Sequence, residues 1–330
     1  MKIMEVCGTH TMAIAKYGLR DFFKGVELIS GPGCPVCVTP SERLEQCVQL
    51  SKKKNIIITT FGDILRVPAV SSSLYKMMSE GADIRVVYSV YEPLKLAIDN
   101  PNKEVVFLGA GFETTAPLCA AVVKEAFNKK IKNFSVLSMF KSVFPAVKLL
   151  CEDEDIQIDG FLLPGNVCSV TGFKDFNFIA EKYNMAASVS GFSKDDIIKS
   201  VEALRELIKN REHKIVNNYS AAVTAEGNIQ AKKLLSEIFD LKNDVWRGFG
   251  KIKNSGFKLK KKYIKFDADI KFNVKPVKPI KEKCLCGQIM KGIKTPKDCP
   301  LFAKTCIPQN PVGPCMVSSE GVCAAYYKYR

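Results

Sequence analysis

Short runs of β-branched and aliphatic residues alternate with longer amphipathic segments over roughly the first two hundred residues. Apolar runs of about four to eight residues between turn signals are typical of buried strands, and apolar residues recurring every three or four positions predict helices. The predicted strands are Val26–Ser30, Asn55–Thr60, Asp83–Ser89, Glu104–Gly109, Phe134–Met139, Gly160–Leu163 and Ala187–Ser190. Strands that alternate with helices of this length predict parallel sheets with helices on both faces.

The predicted helices lie between these strands and shortly after the last of them. They are Ser41–Lys52, Pro68–Glu80, Glu92–Asn100, Thr115–Lys130, Val143–Cys151, Phe173–Tyr183, Lys194–Asn210 and Asn228–Phe239. After about residue 211 the alternation ends, and a lysine-rich strip and a cysteine-rich tail follow. We therefore predict an α/β protein with two Rossmann-like parallel-sheet domains, residues 1–100 and 101–210, and a small C-terminal domain, residues 211–330. Asn100-Pro101-Asn102 is the predicted hinge between the first two.

Composition indicates a cytoplasmic protein. The N-terminus lacks an apolar stretch long enough for a signal peptide, and no run approaches the roughly 18 apolar residues of a membrane span. Because the cytoplasm is reducing, the 13 cysteines are not expected to form a framework of disulfide bonds. Thiolate ligands and redox couples are the expected uses.

The net charge of +15 is concentrated in one strip. Residues 251–283 hold twelve lysines against three acidic residues. Such a patch suits nucleic acid or an acidic protein. However, the strip contains no arginine and lysine is common throughout the chain, so we predict a solvated linker or face and no nucleic-acid partner.

A pair of thiols at Cys-x-x-Cys spacing, Cys34 and Cys37, follows the first strong strand in the Gly/Pro-rich turn Gly31–Cys37. Thr39-Pro40-Ser41-Glu42 then has the pattern of a capping box with Thr39 as N-cap. The positive end of that helix would favour the thiolate of Cys37. We therefore favour redox or metal chemistry here over a purely structural turn.

Cys7 and His10 form a second candidate site. Their ligand types suit iron or zinc, although a buried cysteine beside a hydrogen-bonded histidine is an equally common arrangement. Cys7 is expected in the first loop, and Cys34 and Cys37 at the end of the next strand. Because the carboxyl ends of parallel strands share one edge of a sheet, these three thiols are expected to converge.

Glu113 lies in Gly109-Ala-Gly-Phe-Glu-Thr-Thr115, which resembles the first turn of a nucleotide-binding fold without its third glycine. The backbone amides there could hold an anion, and Glu113 could instead orient a thiol or accept a proton. A plain tight turn is as good an interpretation. Cys168 lies in a predicted loop with no assigned role, and Cys47, Cys119 and Cys151 are interpreted as core thiols on helices.

The tail carries the strongest signal from spacing alone. Six cysteines share about forty proline-rich residues, too few for a core, so a metal centre is the predicted organising element. They are Cys284, Cys286, Cys299, Cys306, Cys315 and Cys323. Zinc sites more often show paired Cys-x-x-Cys knuckles, so the irregular spacing favours a [4Fe–4S] cluster. Four ligands would leave two thiols as a redox pair.

Several motifs together resemble one family. They are Glu5-Val-Cys-Gly-Thr-His-Thr11, Gly31-Pro-Gly-Cys-Pro-Val-Cys-Val-Thr-Pro40, Gly111-Phe-Glu-Thr-Thr-Ala-Pro117, Leu163-Pro-Gly-Asn-Val167 and Cys315-Met-Val-Ser-Ser-Glu-Gly-Val-Cys323. The chain resembles the HypD family of hydrogenase maturation factors over essentially its whole length. Family members usually carry a further helical segment before the Cys-Gly-Thr-His motif, so we expect the start of this sequence to be shortened or misassigned.

The resemblance implies a cytoplasmic scaffold on which the Fe(CN)2CO group of [NiFe]-hydrogenase is assembled, in complex with the chaperone HypC and with cyanide from HypE. It implies that Cys7, Cys34 and Cys37 are essential iron-site thiols, with His10 and Glu113 nearby in the cleft.

In the tail, the resemblance implies a [4Fe–4S] cluster in surroundings similar to ferredoxin:thioredoxin reductase. The cluster ligands would be Cys284, Cys299, Cys306 and Cys323, and Cys286 and Cys315 would form a dithiol relay. Two other functions stay open: an Fe–S-dependent thiol–disulfide oxidoreductase and a zinc-stabilised nucleic-acid-binding protein. Whether the chain is an enzyme is also open.

Overall fold

The sheets are parallel, as predicted. A computed structural model describes residues 1–278 and 284–329, and we number its strands β1–β11 and its α-helices α1–α15 in chain order. The strands are Lys2–Glu5, Glu27–Ser30, Ile56–Thr60, Ile84–Val86, Glu104–Gly111, Phe134–Phe140, Gly160–Pro164, Ala186–Ser190, Ile215–Asn217, Phe239–Trp246 and Gly250–Leu259. Every pair among β1–β9 is parallel, and β10 and β11 form an antiparallel hairpin.

The helices fill the intervals between strands and most of the described tail. The α-helices are Gly8–Lys16, Ser41–Ser51, Gly62–Leu65, Leu74–Ser79, Glu92–Asp99, Ala116–Asn128, Val143–Glu152, Gly165–Thr171, Phe178–Glu181, Lys194–Lys209, Ile229–Ile238, Ala268–Lys271, Cys286–Met290, Pro314–Val317 and Val322–Lys328. Short 3₁₀ helices occupy Lys174–Phe176, Lys261–Phe266 and Pro296–Asp298. The predicted α/β class with a cysteine-containing C-terminal region is confirmed.

Two compact units make up the chain, each assembled from separate segments. Unit 1 comprises Met1–Cys37, Val143–Ile229 and Lys283–Arg330, and unit 2 comprises Val38–Ser142 and Gln230–Glu282. These two units are groups of residues that contact one another, and they do not show which continuous segments of the chain would fold as independent domains. The predicted domains 1–100, 101–210 and 211–330 therefore stay a prediction.

Unit 1 contains a five-stranded sheet in the order β2-β1-β7-β8-β9. From β1 the chain moves to β2 on one side, and β7 to β9 lie on the other, so the direction of winding switches between β1 and β7. Ligands in open parallel sheets bind at such switch points, beyond the carboxyl ends of the strands. The register pairs Glu5 with Ser30, which brings the segments after β1 and β2 to the same edge. Apolar residues of β1, α1 and α10 form the core on one face, among them Ile3, Ile14 and Val201.

Unit 2 contains a four-stranded sheet in the order β4-β3-β5-β6, with its own switch point between β3 and β5. Its core combines strand residues such as Ile57 and Phe107 with Phe257 and Leu259 of the β10–β11 hairpin. Strand β11 of the hairpin forms the first part of the lysine-rich strip, which therefore includes regular structure rather than a linker. Its lysines at 251, 253 and 258 are exposed, so the predicted solvated face is found.

Several local predictions were wrong. No helix was predicted after Cys7, but the nine-residue helix α1 begins at Gly8, with Cys7 in the loop as its N-cap. The predicted helix Pro68–Glu80 is shorter, with α4 preceded by α3 and an irregular segment. The predicted capping box at Thr39 is also wrong: Pro40, with an extended ψ of 148°, is the N-cap and Ser41 is the first helical residue.

Candidate functional site

The loop Gly31–Cys37 lies directly against the start of α1. A side chain on Gly33 would place its Cβ 2.2 Å from the backbone nitrogen of Cys7, a distance that real Cβ atoms essentially never show. The Gly33 carbonyl also accepts a hydrogen bond from the Gly8 amide at 2.9 Å. The two thiol motifs therefore meet at the carboxyl edge of the unit 1 sheet, as its parallel order predicts.

Cys7 is the N-cap residue of α1 and is buried. Burial raises the pKa of its thiol to about 12, although the backbone amides of His10 and Thr9 oppose that rise. The negative charges of Glu320 and Glu5 raise the pKa further. The free thiol is therefore protonated at neutral pH, and a metal ion that bound it would displace the proton.

Glu5 is buried at the end of β1, and its carboxylate contacts the segment that follows. The Cys7 amide donates to Oε2 at 3.0 Å, and the Thr11 hydroxyl donates to Oε1. Burial raises the pKa of Glu5 to about 7. Hydrogen bonds from Ser30, Thr11 and the Cys7 amide act in the opposite direction but do not outweigh burial. From the sequence, Glu5 stood out only as the first residue of the motif Glu5-Val-Cys-Gly-Thr-His-Thr11. A lone acidic residue in an otherwise buried strand was the signal that could have identified it.

His10 lies in the first turn of α1 and is fully buried. Its Nε2 is 2.9 Å from the carbonyl oxygen of Gly191, so Nε2 carries the hydrogen, because a carbonyl can only accept. Nδ1 is then a bare acceptor, and it has no hydrogen-bond partner among the described residues. Burial lowers the pKa of His10 to about 4, so the ring is neutral at pH 7. It offers one lone pair three residues from Cys7.

Four cysteines of unit 1 form a chain of contacts. The Cys37 amide donates to the Cys34 sulfur at 3.2 Å. The sulfurs of Cys286 and Cys315 are 3.2 Å apart, well beyond the roughly 2.05 Å of a disulfide bond. The Cys37 thiol also hydrogen-bonds to Cys315. Cys315 therefore joins the Cys-x-x-Cys pair to a thiol pair of the tail.

The prediction that Cys37 has an acidic thiol is wrong. Burial, together with hydrogen bonds to Cys315 and Cys34, raises the pKa of Cys37 well above its ordinary value. The acidic thiol is instead Cys315: hydrogen bonds from the thiols of Cys286 and Cys37 lower its pKa to about 7 despite its burial. The N-cap of the helix that should have acidified Cys37 is Pro40 rather than Thr39, and desolvation dominates at this position.

All six tail cysteines line one small cavity of about 20 Å³, with Ile289, Phe302 and Met316 among its other walls. The pKa of Cys323 is raised well above normal, first by burial and then by charge on its cysteine neighbours 284, 286, 299 and 306. Within residues 1–278 and 284–329, no three cysteine, histidine or acidic side chains close around one point tightly enough for a single metal ion. Sulfur donors around an apolar cavity form a donor set that suits an iron–sulfur cluster, whose ligands are spread over several irons.

The remaining predicted site residue, Glu113, belongs to unit 2. It is buried in the turn between β5 and α6, at the switch point of that sheet. Cys168 lies in α8 and is fully buried, so the predicted loop there is wrong. Cys47 and Cys119 are fully buried on helices, as predicted for core thiols, whereas Cys151 is half-buried.

A family model described as "Hydrogenase formation hypA family" (HypD) matches residues 1–330. The chain belongs to the HypD family. Hydrogenase maturation factor HypD2 of Bradyrhizobium diazoefficiens is 41% identical over 99% of this chain and 89% of its own length. Hydrogenase maturation factor HypD of Escherichia coli is 41% identical over 100% of this chain and 89% of its own length. Hydrogenase maturation factor HypD of Cupriavidus necator is 39% identical over 99% of this chain and 89% of its own length.

Membership in the HypD family agrees with the resemblance seen in the motifs. In the part of the chain that the structure describes, no helix is both long and apolar enough to cross a membrane. In this HypD-family chain, the cysteines of the N-terminal motifs lie at the carboxyl edge of the unit 1 sheet. The cysteines of the tail belong to the same unit.

Proposed function

We propose that this protein is a scaffold and redox protein for assembly of the Fe(CN)2CO group of [NiFe]-hydrogenase. It acts in the cytoplasm in complex with a HypC-type chaperone and accepts cyanide from a HypE-type donor. The observation that carries the proposal is the meeting of the Cys7 helix with the Cys34/Cys37 loop at a switch point, in a HypD-family chain. Membership in a family whose curated members are named hydrogenase maturation factors supports the class of process.

The iron to be assembled is the cargo of this site. Cys7 has no second cysteine at local spacing, so it needs further ligands, which Cys34, Cys37 or a cysteine of the chaperone would supply. The neutral His10 ring has an unprotonated Nδ1 three residues from Cys7, so it would serve there as a hydrogen-bond acceptor or a nitrogen ligand rather than as a base, because its pKa is lowered to about 4. Glu113, buried at the switch point of unit 2, would orient a thiol or accept a proton, the roles that its sequence motif suggested.

The tail is proposed to hold a [4Fe–4S] cluster through Cys284, Cys299, Cys306 and Cys323. The fit rests on the apolar cavity that these sulfurs line and on the separate Cys286–Cys315 contact, which sets that pair apart as a dithiol. Bound there, a cluster would supply one-electron transfer from an external donor. Serine at Cys284 should remove the visible absorbance, whereas serine at Cys286 should keep it; the reverse result would refute this division.

The thiol chain suggests how electrons pass between the two pairs. The Cys315 thiolate attacks the Cys37 sulfur of an oxidised Cys34–Cys37 pair, forming a Cys37–Cys315 disulfide and releasing the Cys34 thiolate. Cys286 then attacks Cys315, which releases Cys37 and closes the Cys286–Cys315 disulfide. Two electrons and two protons move from the tail pair to Cys34 and Cys37. A thiol with a pKa near ambient pH is the best attacking group, and the Cys37 amide stabilises the leaving Cys34 thiolate.

Anaerobic purification with the chaperone, followed by infrared spectroscopy of the CN and CO stretches, tests the proposal. Bands should appear with the wild-type protein and vanish with Cys7→Ala, while the tail absorbance persists. Cys151→Ser, a half-buried cysteine of the same unit, should retain both signals. Bands that persist in Cys7→Ala would refute the scaffold role.

A second function, an Fe–S-dependent thiol–disulfide oxidoreductase, is favoured by one observation. The contacts of Cys315 with both Cys37 and Cys286 would serve disulfide reduction without any iron cargo. Iron analysis separates the two functions. More than four iron atoms per chain, with the excess lost in Cys7→Ala, supports the scaffold, and four in both proteins supports the reductase.

A further inference from the structure

Glu5 is a buried carboxylate at the end of β1, between the two thiol motifs of unit 1. It is 2% exposed, whereas the other residues of β1 that are as deeply buried, Ile3 and Met4, are apolar. A carboxylate at such a position is costly unless hydrogen bonds satisfy it. Its presence therefore has to be explained by the groups that it contacts.

Both oxygens of the Glu5 carboxylate are engaged by α1 and the turn before it. Oε2 accepts from the amide of Cys7 at 3.0 Å, and Oε1 accepts from the hydroxyl of Thr11 in the second turn of the helix. The amide of Cys7 precedes the helix and is not part of its hydrogen-bond ladder. The carboxylate thus fixes both the backbone of the thiol residue and the direction of the helix.

The same carboxylate reaches the neighbouring strand. Ser30, the last residue of β2, hydrogen-bonds to Glu5, and the Arg20 guanidinium donates to the Ser30 hydroxyl at 3.0 Å. Arg20 also lies 4.4 Å from the ring centroid of Tyr326 in α15. Ser30 directly precedes the loop Gly31–Cys37, so one buried group is bonded to the entrances of both thiol motifs.

We propose that Glu5 is a positioning residue that fixes Cys7 relative to the Cys34/Cys37 loop. This inference deepens the proposed function and rests on it, because it assigns the geometry of the site at which the cargo iron would bind. Both oxygens of Glu5 are engaged by the Cys7 amide and the Thr11 hydroxyl, so its assigned role is positioning and not iron ligation. It acts through the Cys7 amide and through Ser30, and without it the two motifs would still adjoin through Gly33 but with a looser spacing.

Alkylation kinetics of the individual cysteines, read by mass spectrometry on the full chain with its tail absorbance intact, test this inference. In Glu5→Gln, one acceptor oxygen is replaced by a donor, so we expect Cys7 to react about tenfold faster with iodoacetamide, while Cys119 in unit 2 stays within twofold. The rates are compared at equal thiolate fraction, taken from the pH profile of each protein, because loss of the Glu5 charge alone would lower the Cys7 pKa. A tenfold change corresponds to about 1.4 kcal/mol, within the range of a buried hydrogen bond. Glu27→Gln, at the exposed start of β2, is the matched control and should change nothing.

A short bifunctional thiol reagent adds a direct measure of the spacing. Cross-linking of Cys7 to Cys34 or Cys37 should fall severalfold in Glu5→Gln and less in Ser30→Ala, which removes a single partner and keeps the carboxylate. Unchanged cross-linking and alkylation in both variants would overturn the inference, as would equal acceleration at all cysteines, which indicates general loosening. These readouts need no iron cargo, so they can succeed or fail separately from the infrared test.

Discussion

The sheets of the two units have the same kind of topology and different chemistry at their carboxyl edges. In unit 1 the edge carries thiols, a neutral imidazole and a close glycine contact. In unit 2 the residue after β6 is Lys141, which is 2% exposed and bonded to Asp244 Oδ2 and the Val245 carbonyl, both at 2.8 Å. The comparison shows that the carboxyl edge of a parallel sheet can hold a cluster of thiols or a buried ion pair, and that the residue types after each strand decide which.

The largest expected effect is at the unit 2 edge. Lys141→Met removes the buried partner of Asp244, and breaking a fully buried pair costs about 3–5 kcal/mol. Asp244 is 21% exposed and keeps Lys242 at 3.9 Å, so we expect a cost near the lower end of that range. Hydrogen exchange of β10 and β11 should report the loss as faster opening of the hairpin. Lys251→Met, on the exposed side of β11, is the matched control. If Lys141→Met leaves exchange unchanged and instead abolishes maturation, the edge of unit 2 is a reactive site and the comparison fails.

At the unit 1 edge, His10 makes stability depend on pH. Its pKa is about 4 when folded against 6.5 as the model value, so the unfolded chain binds the extra proton between these values. Stability therefore falls as the pH drops from about 6.5 to about 4, by about 3 kcal/mol in total. Glu5, with a folded pKa of about 7, has the opposite slope from about pH 4.5 to 7.

The difference in unfolding free energy between wild type and His10→Leu, measured by urea titration at several pH values, isolates the histidine. The other histidine, His213, is exposed, and His213→Leu is the matched control. A profile for His10→Leu that parallels the wild type from pH 4 to 6.5 would show that His10 is not held neutral.

How far the sequence determines this site can be argued from single residues. The meeting of Cys7 with the Cys34/Cys37 loop was predictable, because parallel strands present their following loops at one edge. The contact of Cys37 with Cys315 was not, since it depends on tertiary packing across nearly 280 residues of chain. For the same reason the predicted direction of the Cys37 pKa shift was wrong. The position of a nearby helix can be predicted from local sequence, whereas the burial that raises this pKa depends on distant parts of the chain.

Most strands of the two sheets were predicted within two residues, because buried parallel strands form continuous apolar runs. The β10–β11 hairpin was missed, since β11 places lysines between apolar residues and was interpreted as part of a charged strip. Helix α1 was missed because Gly8-Thr-His10 has weak helix propensity, and the Glu5 and Gly33 contacts that fix its start are not visible in a sequence.

A glycine at each edge gives a paired test of smaller effect. Gly33→Ala would force its Cβ to 2.2 Å from the Cys7 nitrogen, so the loop must move, at about 1–3 kcal/mol. Gly62→Ala, after β3 in unit 2, meets nothing nearer than 3.7 Å and should be neutral. Thermal unfolding and Cys7 alkylation should both change for Gly33→Ala alone. Equal effects at the two positions would remove the distinction between the edges.

The smallest effect is expected on the lysine face of unit 2. Lys261 and Lys262 are exposed and Lys260 is half-buried beside the hairpin. Lys260 lies 3.8 Å from Asp240, a surface pair that contributes little. Glutamate at all three positions should therefore leave iron content unchanged and shift stability by about 0.5–1 kcal/mol at most.

Nucleic-acid binding by the wild type, measured at two salt concentrations, tests the same face. A partner bound through these lysines would lose affinity steeply as salt rises, because bound counterions are released. We expect only weak, non-specific binding that the triple glutamate variant barely alters. Tight, salt-sensitive binding that disappears in the triple variant and survives in Lys242→Glu would show that unit 2 has a functional surface after all, away from its sheet edge.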